Sequence, residues 1–142
     1  MRLSICLISA ASIAAFACGG GTEPLEEVVL TMQNVAGIYY GVTITTEKDG
    51  VVTDQFRLGA RIELILYEVG ASGGRITIPP DDAGWSGIDA DLTGTWELHG
   101  NIVTLSHSSD TFLHGIPLPI EETHLTGEAT VDGVTYRVVL AR

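Results

Sequence analysis

The sequence predicts an all-β domain, an antiparallel up-and-down meander of about eight strands closed into a small barrel. Three observations carry this. Short runs alternate apolar and polar residues with a period of two. Glycine, aspartate, proline and asparagine punctuate those runs at regular intervals. Two hairpins near the C-terminus sort their side chains onto one apolar and one polar face. The expected strands span 35–46, 51–57, 60–69, 74–78, 90–98, 102–107, 121–131 and 134–141. No helix, fixed-period repeat or second apolar core is predicted.

In the first strand, Ala36, Ile38, Tyr40, Val42 and Ile44 alternate with Gly37, Tyr39, Gly41, Thr43 and Thr45, which makes the even-numbered residues the inward face. Asp49-Gly50 is a hairpin turn signal, yet folding Glu47–Val52 about it gives no clean apolar face. Arg61 to Val69 alternates again, with Ile62, Leu64 and Leu66 opposite Arg61 and Glu63. Gly70 to Gly74 reads as a turn and Arg75–Ile78 as a short strand ended by Pro79-Pro80.

The last two hairpins fix their own registers. With Gly100-Asn101 as a two-residue loop, Leu98 faces Val103 and Trp96 faces Leu105, while Glu97–Thr104 and Thr95–Ser106 take the other side. With Asp132-Gly133 as the loop, Val131 meets Val134, Ala129 meets Tyr136, Gly127 meets Val138 and Leu125 meets Leu140. The exposed side then carries Thr130–Thr135, Glu128–Arg137 and Thr126–Val139. A slip of one residue would mix both faces, so the pattern specifies these registers. About eight such strands close into a barrel with no free edge.

The N-terminus is of another kind. Arg2 precedes an uncharged, alanine-rich run from Leu3 to Ala17, too short for a typical membrane span and suited to a signal peptide. Ala15-Phe16-Ala17-Cys18, followed by three glycines, resembles the lipobox of bacterial lipoproteins, with Ala15 where leucine is usual. That resemblance implies cleavage before Cys18, which would carry thioether-linked diacylglycerol with palmitate as acyl group. It implies a cell-envelope address, attached to the membrane through those chains. Gly19 rather than aspartate after Cys18 points, by the same resemblance, to an outer membrane. The expected organisation is a signal peptide (1–17), the lipidated cysteine with a flexible tether (18–34) and a barrel domain (35–142). The tether from Gly19 to Asn34 reaches roughly 55 Å when extended. Its Leu25–Met32 part suits either a helical turn or an extended lead-in.

The barrel segment resembles the lipocalin-like small lipoproteins of bacteria. The matching pieces are Gly37-Ile38-Tyr39-Tyr40, Gly94-Thr95-Trp96-Glu97-Leu98 into Gly100-Asn101-Ile102-Val103-Thr104-Leu105, and Leu125-Thr126-Gly127-Glu128 with Tyr136-Arg137-Val138-Val139-Leu140. Gly-x-Tyr stands where lipocalins have Gly-x-Trp. The resemblance implies a barrel more than it implies a bound ligand.

Composition excludes several function classes. The chain has a formal charge of −11, and cleavage before Cys18 would remove Arg2 while keeping all 18 acids. Such a surface repels nucleic acid and anionic headgroups. Of the 2 cysteines, Cys6 lies in the signal and Cys18 is the lipid site, leaving no thiol for a disulfide, a nucleophile or a thiolate metal centre.

The remaining constellations read as structural. Asp81-Asp82, Asp89 and Asp91 lie in a glycine-containing stretch without the spacing of a calcium loop, and Glu121-Glu122 is an isolated acidic pair. His99, His107, His114 and His124 lack metal-ligand spacing. Ser106-His107-Ser108-Ser109-Asp110 holds the residue types of a catalytic triad, but neighbours on a strand point to opposite faces. Gly84-Trp85-Ser86-Gly87 lacks the spacing of a nucleophile elbow. No catalytic set, metal or cofactor is expected.

Tyr40, Trp96, Leu98, Val103, Leu105 and Tyr136 are the candidates for filling the core or lining a pocket for an apolar ligand. Thr111–Leu113 with Ile116–Ile120 suits either a cap over one barrel mouth or a partner contact. The expected function is a lipid-anchored envelope binding protein for a small apolar molecule or a partner protein. The alternative is a structural or interaction lipoprotein with a filled barrel.

Overall fold

The computed structural model describes residues 29–80 and 86–142. The signal peptide, Cys18, the tether as far as residue 28, Asp81-Asp82 and Gly84-Trp85 lie outside the described residues. One helical turn, α1 (Met32–Val35), precedes β1 (Gly37–Lys48), β2 (Val51–Asp54), β3 (Arg61–Leu66), β4 (Ala71–Ile78) and β5 (Ile88–Asp91). Then come β6 (Gly94–His99), β7 (Ile102–His107), β8 (Pro117–Glu121), β9 (His124–Val131) and β10 (Val134–Ala141).

All strands belong to one antiparallel sheet that closes by pairing β10 with β1, giving an eight-strand barrel with β2 and β5 as extra strands. Two walls are single strands broken in the middle. Lys48–Thr45 of β1 pairs with β2 and its Gly37–Tyr40 end pairs with β3. Likewise β4 pairs with β5 near Ile78 and with β6 at Ala71–Ser72. With β2–β3 and β5–β6 each counted as one wall, the ring is the expected up-and-down meander. The breaks are held from inside: Ala60 and Leu92 are fully buried. The Leu92 N–H donates to Gly74 O at 3.0 Å, and Ser72 Oγ donates to Leu92 O at 2.9 Å.

Both C-terminal registers are as the face pattern requires, from Leu98↔Val103 and Trp96↔Leu105 to Ala129↔Tyr136 and Leu125↔Leu140. On the polar side, Arg137 bonds Glu128 and Glu47 at 2.6 Å each, spanning the β9–β10–β1 seam. The Asp49-Gly50 hairpin also forms, with both turn residues at positive φ (52° and 78°), as in a type I′ turn.

Four expectations need correction. First, Tyr40 points outward and is 52% exposed, while Tyr39 is buried. The register of β1 shifts between Gly41 and Thr43, and this bulge moves the inward face from Tyr39 and Gly41 to Ile44 and Thr46. Strict alternation along β1 therefore does not survive its middle. Second, β4 begins at Ala71, so Gly73 and Gly74 lie in the strand, and residues 90–98 are split at Leu92-Thr93. Third, β8 runs through Pro117 and Pro119, a segment expected to be a cap or partner contact. The Ile120 N–H donates toward β7, to Asn101 O at 2.8 Å. The prolines, one residue out of phase, therefore turn their missing N–H toward β9, where pairing is confined to Ile120–Glu121. Fourth, Asn34 and Val35 belong to α1 rather than to tether and strand.

That turn closes one end of the barrel. Thr31 and Asn34 form a capping box, with the Thr31 N–H donating to Asn34 Oδ1 at 2.7 Å. Val35 is buried, Leu30 and Met32 pack on the core, and Tyr39 donates its hydroxyl to Val35 O at 2.6 Å. Arg142 Nη1 donates to Asn34 O at 2.5 Å and Ala36 O at 3.2 Å, clasping the C-terminal residue onto the plug. Between the two ends, Leu64, Leu66, Trp96, Leu105, Leu118 and Leu140 fill the axis with at most 2% exposure.

Candidate functional site at the barrel mouth

The end opposite α1 is built from the β1–β2 turn, the β9–β10 turn and the segment from Ser108 to Ile116. Here β1 and β2 continue past the last rung that β3 contributes, because Arg61 is where β3 begins and β2 pairs with β1 alone. The inner face of this extension carries Thr46, Lys48, Val51, Thr53 and Gln55, facing Val134 and Tyr136 of β10. Together with Asp49 they line a cleft of about 320 Å³. A neighbouring cleft of about 310 Å³ shares Lys48, Val134 and Tyr136 and is completed by Ile88, Asp110, Thr111, Phe112, Val131 and Asp132.

The first cleft mixes buried polar groups, charged residues and apolar side chains in its lining. Thr46 and Gln55 are buried, with Gln55 Nε2 donating to Thr46 Oγ1 at 2.8 Å. Val51, Val134 and Tyr136 share the cleft lining with them. The Tyr136 ring lies against Phe112, with centroids 4.6 Å apart and planes 11° from parallel. Burial, and then the Asp132 carboxylate, push the Tyr136 phenol above its ordinary range, so it stays protonated at neutral pH. Lys48, the chain's single lysine, stands at the junction of the two clefts and makes no ion pair among the described residues.

Of the side chains expected to fill the core or line a pocket, Tyr136 lies in both clefts. Trp96, Val103 and Leu105 are buried in the barrel axis, and Leu98 is half-buried against it. Trp96 Nε1 donates to Tyr67 O at 2.9 Å, so this ring belongs to the packed interior. Tyr40 stands outside, beside a groove bordered by Phe56, Arg61 and Arg75. Thr111, Phe112 and Leu113 are buried, the first two lining the second cleft, whereas Pro117–Ile120 is wall.

The other constellations stay apart. Ser106 is exposed and His107 buried, on opposite faces of β7. His107 Nε2 bonds Thr111 Oγ1 at 3.2 Å, and its ring meets His114 edge-on at 5.2 Å. Its Nδ1 is enclosed, with no partner at hydrogen-bonding geometry among the described residues. Asp89 is taken by Arg75 through two bonds of 2.8 Å, and Asp91 accepts from the Thr93 N–H at 2.7 Å. Among the described residues no three His, Cys, Asp or Glu side chains group to hold a metal.

Sequence reading missed Thr46, Lys48, Gln55 and Val134 as site residues. The signal was there: Asp49-Gly50 marks a hairpin, and the absence of an apolar face means that its inner side does not pack as core. No protein-family model, curated protein or solved structure matches this chain.

Proposed function

We propose that this is a lipid-anchored binding protein of the cell envelope, held by acyl chains on Cys18, that takes a small molecule with an apolar body at the barrel mouth. The observation that carries the reading is the cleft of about 320 Å³ lined by Thr46 and Gln55, a volume within the range of small-molecule sites. The chain enters the barrel at α1, on the plugged end, which leaves the mouth at the far end. An outer-membrane address and an exposed, membrane-distal mouth are compatible. The role is binding rather than catalysis: Ser106 and His107 diverge, and His107 is held by Thr111.

A filled-barrel interaction lipoprotein is the second reading, favoured by the packing of Trp96, Leu105 and Leu140 along the axis. Native mass spectrometry of the full chain from its source cells separates the two. The first reading expects a non-covalent adduct on the acylated protein, lost in Val134→Trp, whose indole would occupy the boundary between both clefts. A mass without adduct in the unsubstituted protein would overturn it and leave the second.

A further inference from the structure

Resting on that reading of the mouth, we infer that the ligand is an uncharged molecule that presents both a hydrogen-bond donor and an acceptor, such as a carboxamide or lactam edge, on an apolar body. The argument starts from what Thr46 and Gln55 leave unused. The Gln55 amide has one acceptor oxygen and two N–H donors, and a threonine hydroxyl both donates and accepts. Among the described residues one bond joins them, from Gln55 Nε2 to Thr46 Oγ1. Neither side chain has a further partner there. Among the described residues, Gln55 Oε1 and the Thr46 hydroxyl proton therefore remain unspent.

Both residues are more than nine-tenths out of solvent, at 5% and 9% exposure. The one side-chain polar atom that is both fully enclosed and unbonded among the described residues is His107 Nδ1. Gln55 Oε1 is thus not sealed off among the described residues, and Gln55 is one of the residues lining the cleft. An amide with spare capacity in a cleft shared with Val51, Val134 and Tyr136 rewards a ligand that completes it. A group that leaves it unpaired incurs a desolvation penalty.

Charge narrows the class further. Asp49, Asp110 and Asp132 border the two clefts with Lys48 as the single cation, on a chain of net charge −11. An anion meets that field. A cation is drawn to those carboxylates, but at the Thr46–Gln55 pair it would rest on uncharged dipoles, which replace its hydration only in part. A neutral edge that donates to Gln55 Oε1 and accepts from Thr46 or the Gln55 amide meets neither obstacle.

Three isosteric probes test this on the full chain: benzamide, benzoate and benzamidinium, titrated by saturation-transfer NMR. The expected order places benzamide about tenfold tighter than either ion. Gln55→Leu and Thr46→Val should each weaken benzamide about five- to tenfold, as the loss of one buried hydrogen bond does. Should Gln55→Leu fail to fold, the near-isosteric Thr46→Val carries the test. Equal binding of the three probes, or a benzamide affinity unmoved by both substitutions, would overturn the ligand class and leave the mouth as a binding site. Failure of all three to bind would overturn the mouth reading and this inference with it.

Discussion

Phe112 lies flat on Tyr136, 4.6 Å between ring centroids, and this stack joins the segment after β7 to the beginning of strand β10. Both rings are buried at 5% exposure and both line the second cleft. Removing the Phe112 ring takes away buried area and the wall of a cleft together. Phe112→Ala should cost about 3–4 kcal/mol in urea unfolding. It should also broaden the Val134 methyl resonances. A loss under about 1 kcal/mol would mean that the segment is not packed as described.

His107 makes stability depend on pH in a definite direction. Burial, and then the neighbouring His114, lower its pKa below the ordinary histidine value. The Ser109 backbone acts the other way and does not outweigh them. The folded state therefore holds fewer protons than the unfolded chain below about pH 6.5. Stability is full above that value and is lost as pH falls through the folded pKa. Urea midpoints should drop between pH 7.5 and 5.5, and the drop should shrink in His107→Gln. The carboxylates lowered by Arg75 and Thr93, Asp89 and Asp91, act at lower pH and do not confuse this window. A pH slope unchanged in the variant would rule out His107 as its source.

At Gly94 the backbone of β7 crowds that of β6. A methyl there would lie 2.1 Å from Ser106 O and 2.8 Å from His107 Cα, both backbone atoms. Gly94→Ala should destabilise by about 2–3 kcal/mol through forced separation of the strands. The same change at exposed Thr95 should move the midpoint little. Equal effects at the two positions would contradict the close approach.

The clasp of Arg142 on α1 predicts a local effect. Arg142→Ala removes the donors to Asn34 O and Ala36 O and should cost about 1 kcal/mol. Hydrogen exchange should speed up at Val35 and Ala36, whose amides close the turn onto Thr31 O and Met32 O, and not at Val103. Uniform acceleration across the barrel would point to global rather than local loosening.

Where a strand buries one face and a tight turn sets its partner, the sequence was readable to the residue. Trp96↔Leu105 and Leu125↔Leu140 follow from turn position and alternation alone. Tyr40 was misread because a bulge at Gly41–Thr43 changes the inward parity, and nothing in a run of alternating residues announces an inserted one. The wall strand β8 was hidden by Pro117 and Pro119, which are compatible with it only because their blank sides face a gap in the β9 ladder. The site itself was hidden by a sound rule applied in the wrong place. Hairpins are recognised by an apolar inner face, and Thr46, Thr53 and Gln55 make the inner face of β1–β2 polar because it stands above the core.

The claim that the open mouth, and not the filled axis or the outer wall, is where this barrel binds is tested most directly by methyl-resolved NMR of the full chain with benzamide. Shifts and intermolecular contacts should fall on Val51 and Val134 and on the Tyr136 ring, with Val103 and Leu105 in the axis and Val42 outside unmoved. Contacts centred on Val103 and Leu105, or on Tyr40 and Val42, would contradict it.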